Sequence, residues 1–145
     1  MKSKLLHDHH GQKTYAIIFE HGDEVVSPLL DFARQHRIHA AQISAIGAFE
    51  KVTLGYFEWE RKDYKKIPVH EQVEVLSLLG DIAEKDGEPK LHAHVVVGRS
   101  TGATLGGHLV EATVRPTLEV ILTESPAHLR KSVDPETGLA LIELD

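Results

Sequence analysis

The spacing of apolar and polar positions divides the chain into many extended segments and one helical segment. Residues 13–20 (K-T-Y-A-I-I-F-E) alternate as a strand does and stop at Gly22. Residues 27–37 carry Leu29, Leu30, Phe32 and Ala33 at helical spacing, behind Ser27 as the N-cap and Pro28 at the first helical position. Such a helix would cover one face of a sheet. Residues 41–48 and 52–57 read as two strands joined near Phe49-Glu50-Lys51. Residues 58–66 (E-W-E-R-K-D-Y-K-K) suit a solvated hairpin with half-buried rings. Residues 73–83 form a long strand that ends in a turn at 84–87. Further strands fall at 91–97, from His108 to Val110, at 114–122 and at 139–144. The expected fold class is α+β, a mainly antiparallel sheet flanked by one or two helices. There is no repeat and no low-complexity linker, so residues 1–145 are expected to form a single domain, with 1–12 as a flexible amino-terminal arm.

Chemistry concentrates between Lys90 and Leu122. In Leu91-His92-Ala93-His94-Val95-Val96-Val97 the period of two puts His92 and His94 on one face. Residues 98–107, rich in Gly, Ser and Thr, are expected as a turn or long loop before the strand resumes at His108. A hairpin symmetric about Thr101 sets His94 opposite His108, with His92 diagonal to both. Neutral imidazoles suit zinc, iron, copper or nickel, and three of them leave coordination positions open for water or a substrate. The candidate metal ligands are therefore His92, His94 and His108, and the expected cofactor is a divalent transition metal, zinc foremost. The competing interpretation is three solvent-facing histidines in a chain that contains 11. His7, His9 and His10 form a second cluster, expected to lie on the solvated arm.

Composition narrows the alternatives. The 41% hydrophobic and 26% charged fractions are those of an ordinary folded domain, and a formal charge of −6 argues against a broad basic surface for phosphate backbones. The chain has no cysteine, so any metal must be held by histidine and carboxylate. No apolar run is long enough to span a bilayer and the start lacks a signal-peptide core, so the expected location is cytoplasmic, with no membrane partner.

Five ordered motifs extend the picture: Ile46-Gly47-Ala48, Glu74-Val75-Leu76-Ser77-Leu78-Leu79-Gly80, Leu91-His92-Ala93-His94, Gly106-Gly107-His108-Leu109 and Thr117-Leu118-Glu119-Val120. In this order they resemble the PPC domain, named for its presence in plants and prokaryotes, here in its free-standing prokaryotic form. The resemblance implies an antiparallel sheet with flanking helices, assembly as a homotrimer and, in some prokaryotic members, a metal site at the three matched histidines. In plants the domain stands beside AT-hooks and mediates assembly with itself and with transcription factors; this chain has no AT-hook. Arg130, Asp134 and Thr137-Gly138-Leu139 also match the family pattern and are expected to form a carboxy-terminal clasp.

Two readings of function follow. One is a homotrimeric metal-binding protein, with or without catalytic activity, whose bound ion polarises a water or a substrate oxygen. Its general base is not evident: Glu111 should point to the opposite face, and Glu74 or a neighbouring subunit's carboxylate is the substitute. The other is a DNA-associated regulatory or scaffold protein with protein partners. Its basic residues would be Arg61, Lys62, Lys65 and Lys66, together with Arg130 and Lys131.

Overall fold

The computed structural model describes residues 1–125 and 128–144. Among them lie β1 (Lys2–His9), β2 (Gln12–Glu20), α1 (Val26–His36), β3 (Ala40–Glu58), β4 (Asp63–Val69), β5 (Val73–Lys85), β6 (Glu88–Gly98), β7 (Thr104–Glu124), β8 (Arg130–Val133) and β9 (Ala140–Glu143). The strands form one sheet in the order β1-β2-β7-β3-β5-β8-β9, with β4 paired to β3 and β6 paired to both β5 and β7. All pairings between these strands are antiparallel except β5 with β8, which meet in parallel at Glu84 and Arg130. The architecture is the expected α+β one.

Because β3 pairs with β5, β5 with β6, β6 with β7 and β7 again with β3, four strands close a circuit. Closure gives these strands hydrogen-bonding neighbours on both sides and fixes their register, since a slip of one residue would turn every side chain to the wrong face. The inward positions build the core. Ile17 and Phe19 from β2, Phe49 from β3 and Leu118 and Leu122 from β7 are fully enclosed together with Leu29 of the helix. The helix lays Leu29, Phe32 and Ala33 against this core, and the Phe32 ring meets Tyr15 edge-on at 5.1 Å.

Four expectations change in detail. The helix begins at Val26, two residues before the expected first position Pro28, so Ser27 and Pro28 lie inside its first turn and Ser27 is not the cap. The exposed backbone donors are met instead by Glu24, whose carboxylate accepts from the Val26 and Ser27 N–H groups at 3.0 and 2.8 Å. The two strands expected around Phe49-Glu50-Lys51 are one strand, β3, whose register against β7 shifts on either side of Phe49. A bulge bends the strand there and keeps the ladder going, which suits a stretch without turn-forming residues. Similarly, the long loop at 98–107 shrinks to residues 99–103: Arg99 N–H donates to the Ala103 carbonyl at 2.8 Å, and Gly102 takes the left-handed conformation at φ +82°. Finally, residues 2–9 of the expected flexible arm form strand β1, paired with β2 from Lys2↔Ile18 to His9↔Gln12. All eight of its side chains are exposed, so no hydrophobic alternation announced it.

Candidate metal centre

The register of the β6–β7 hairpin places His94 directly opposite His108, as a turn centred on Thr101 requires. One nitrogen from each of His92, His94 and His108 lies within 4.8 Å of the corresponding nitrogens of the other two. Ring centroids are 5.1 Å apart for His92 and His94, 5.5 Å for His92 and His108, and 5.6 Å for His94 and His108. The sequence-predicted trio is therefore brought together. The amino-terminal trio lies elsewhere, on and just beyond β1, with the His9 and His10 rings 4.0 Å apart and exposed.

Close backbone approach makes this convergence possible. A Cβ on Gly80 would collide with the His92 carbonyl oxygen, and one on Gly107 would come within 2.7 Å of the Gly55 carbonyl. Gly55 sits opposite His108 on β3, and a Cβ there would reach 2.9 Å from Cδ1 of Tyr64. Its bare backbone lets the Tyr64 ring lie over His108, centroids 4.7 Å apart and 28° from parallel. Burial raises the Tyr64 phenol above its ordinary value.

The environment disfavours the charged form of two of the three imidazoles, His92 and His108. Burial is the first cause that pushes His108 down to about 4, with the nearby His92, His94 and Lys131 acting in the same direction. His92 is also lowered, chiefly by burial and then by Lys131, while Asp81 pulls the other way. Nδ1 of His108 is buried and has no hydrogen-bond partner. A neutral imidazole offers one bare ring nitrogen and no group of the described residues competes for Nδ1 of His108, so the residues present fit a borderline divalent ion.

Behind the histidines stand two residues that the sequence did not place there: Asp81, and Lys131, which was expected in a basic cluster with Arg130. Asp81 on β5 is the register partner of His92, and its Oδ2 lies 3.6 Å from His92 Nδ1. Its Oδ1 lies 2.8 Å from Nζ of Lys131, whose side chain is only 3% exposed. Beyond this ion pair the buried Oδ1 has no hydrogen-bond partner among the described residues. An acid inside the otherwise apolar run Leu78-Leu79-Gly80-Asp81-Ile82 was the available signal for Asp81. Lys131 gave none, because it arrives through the pairing of β8 with β5.

The other candidates lie apart. Glu111 accepts from the Thr53 hydroxyl at 2.9 Å, away from the histidines, and Glu74 pairs with Gly98, five residues along β5 from the Leu79 that faces His94. Neither carboxylate reaches the trio. The basic clusters are also partly committed: Arg61 pairs with Glu58 at 3.1 Å, and Lys62 donates to the Glu136 carbonyl. Lys131 is not a surface cation at all. The carboxy-terminal clasp is present, with Asp134 accepting from the Thr137 hydroxyl and backbone N–H at 2.6 and 2.8 Å and Gly138 at φ +75°.

Among the described residues, one helix packs on a nine-stranded sheet that carries three histidines on one hairpin, an α+β domain with a candidate metal site. The chain belongs to the Plants and Prokaryotes Conserved (PCC) domain family, whose model matches residues 7–126. A plant- and prokaryote-conserved protein from Pyrococcus horikoshii is 35% identical with a TM-score of 0.85, over 99% of this chain and 95% of that one. A metal-containing protein from Archaeoglobus fulgidus is 36% identical with a TM-score of 0.84, over 91% and 94% of the two chains. A candidate DNA-binding protein from Ralstonia eutropha is 33% identical with a TM-score of 0.84, over 90% and 91%. No curated protein matches this chain.

Proposed function

We propose that this family member is a metal-binding protein in which His92, His94 and His108 hold one divalent transition ion per chain, zinc foremost. The observation that carries the reading is the convergence of three imidazole nitrogens within 4.8 Å, one set of them on a ring with an unpartnered buried nitrogen. The Archaeoglobus relative, described as metal-containing, supports it. Zinc–nitrogen bonds are about 2.0–2.1 Å long, so a bound ion would draw the three rings slightly closer. When bound, the ion supplies Lewis acidity toward an oxygen ligand. Asp81 orients His92, and Tyr64 shields His108 from water.

We propose further that residues 1–145 work as one domain and assemble as a homotrimer. Ile46, Leu76, Leu79, Val96 and Ile121 are each more than 40% exposed, and Leu79 sits beside His94 in the ladder. An apolar patch on the outer face of a sheet is what a subunit interface covers. Light scattering should give three chain masses, and Leu79→Glu with Ile121→Glu should yield monomers; a wild-type monomer at all concentrations overturns the assembly.

Elemental analysis of protein prepared without a histidine tag or nickel resin tests the metal. One equivalent in the wild type and a large loss in His94→Ala are expected. Equal content in both would remove the assignment. The DNA-associated alternative rests on the description of relatives such as the Ralstonia protein. It is disfavoured by the charge of −6 and by the committed or buried state of Arg61, Lys62 and Lys131.

A further inference from the structure

Beside the histidines opens a cleft of about 280 Å³ between β6, β7 and the β8–β9 clasp. Its lining includes His92 and His108 but not His94, so it approaches the trio from one side. The charge of this lining runs against that of the whole molecule. In a chain of net charge −6, the described residues that line the cleft include Lys85, Lys90 and Lys131 and no carboxylate. Lys131 is paired with Asp81 behind the lining, whereas Lys85 has only Asp86 at 4.0 Å. The remaining wall is apolar and includes Leu91, Leu139 and Leu141.

We propose that this cleft binds a small organic acid, its carboxylate held between Lys131 and the open side of the histidine site and its apolar body lying against Leu91, Leu139 and Leu141. The inference rests on the metal reading above and extends it to a ligand class. Three neutral imidazoles leave the two positive charges of a divalent ion uncompensated; Asp81 offsets Lys131, while Lys85 and Lys90 add to the positive side. A half-buried site of that sign favours an anion. Lys131, His92 and His108 all line the cleft, so an anion placed among the three would meet all of them. Apolar walls separate an organic acid from a free inorganic anion, which would leave those leucines wet.

The test uses the full chain, stripped with a chelator and reloaded with cobalt(II), whose visible spectrum reports its coordination. Benzoate, acetate and inorganic phosphate are then titrated separately, and calorimetry measures the same anions with the metal-free chain. Benzoate is expected to change the cobalt spectrum saturably and to bind about tenfold or more tightly than acetate. Lys131→Met should weaken benzoate by about 10- to 100-fold, as loss of a charged hydrogen bond does. Because Lys131→Met leaves Asp81 unpaired and risks misfolding, Leu141→Glu on the exposed edge of the cleft is the second variant; it should weaken benzoate while leaving the anion-free cobalt spectrum unchanged. Cobalt loading with no response to benzoate overturns the ligand proposal and leaves the metal reading intact. Failure of cobalt to load overturns the metal reading; calorimetric benzoate binding to the metal-free chain, sensitive to Leu141→Glu, would then still support the cleft, and its absence would overturn that too. Phosphate binding as tightly as benzoate overturns the organic-acid assignment in favour of an inorganic anion.

Discussion

Asp81 and His92 stand directly opposite each other on β5 and β6, with carboxylate and imidazole 3.6 Å apart, while the other Asp81 oxygen faces the buried Lys131 at 2.8 Å. The carboxylate thereby ties a candidate metal ligand to the carboxy-terminal clasp. Groups that orient metal-bound histidines typically contribute about 10- to 100-fold in affinity. Asp81→Asn should accordingly weaken metal binding by about that factor while keeping one site per chain at saturation, as chelator competition would measure. Unchanged affinity would mean that Asp81 serves only to pair Lys131.

Acid should destabilise the metal-free chain through the site itself. His108 is held down to about 4 from an ordinary 6.5, chiefly by burial. Below 6.5 the unfolded chain takes up this proton and the folded chain does not until about 4, so the unfolded state gains across that window. His92, lowered too, adds in the same direction. Stability in urea should fall between about pH 6.5 and pH 4, and His108→Gln should flatten that slope. An identical slope in the variant would remove His108 as its source.

Gly80 tests the backbone packing beneath the histidines. A methyl group there meets the His92 carbonyl and the Ala93 backbone, neither of which can rotate away. Gly80→Ala should cost about 1–3 kcal/mol and displace His92, so metal affinity falls with stability. Gly102→Ala, at a left-handed turn position with open space around it, should cost about 1 kcal/mol and leave metal binding intact. Thermal melts combined with metal titration distinguish the two.

Duplex DNA should bind weakly. With Arg61 paired to Glu58, Lys62 bound to a carbonyl and Lys131 buried, Lys65 and Lys66 on β4 and Arg130 on β8 are what remains of the basic clusters. Fluorescence anisotropy in about 150 mM salt should show no sub-micromolar complex. Tight binding abolished by Lys65→Ala with Lys66→Ala would restore the DNA-associated reading.

The histidine hairpin was legible because its information is local. The two-residue period fixed the face of His92 and His94, and a turn about Thr101 fixed the partner of His94. The helix was legible from Leu29, Phe32 and Ala33, although its cap was not, since Glu24 reaches two backbone donors from outside the usual capping position. Strand β1 escaped notice because its side chains all face solvent and its stability comes from the backbone ladder with β2.

By itself, then, the sequence determined the α+β character, the helix, the hairpin and the three histidines, because each follows from neighbours a few residues apart. Folding decided what lies around them. The closed circuit of β3, β5, β6 and β7 depends on long strands that bend at bulges instead of turning, a choice made by pairing partners distant in the chain. Asp81 faces His92 only through the β5–β6 register, and Lys131 reaches Asp81 only because β8 returns alongside β5. Nothing in the residues flanking Lys131 encodes its burial: a lysine is hidden where tertiary contacts supply a carboxylate, and that contact spans fifty residues of chain.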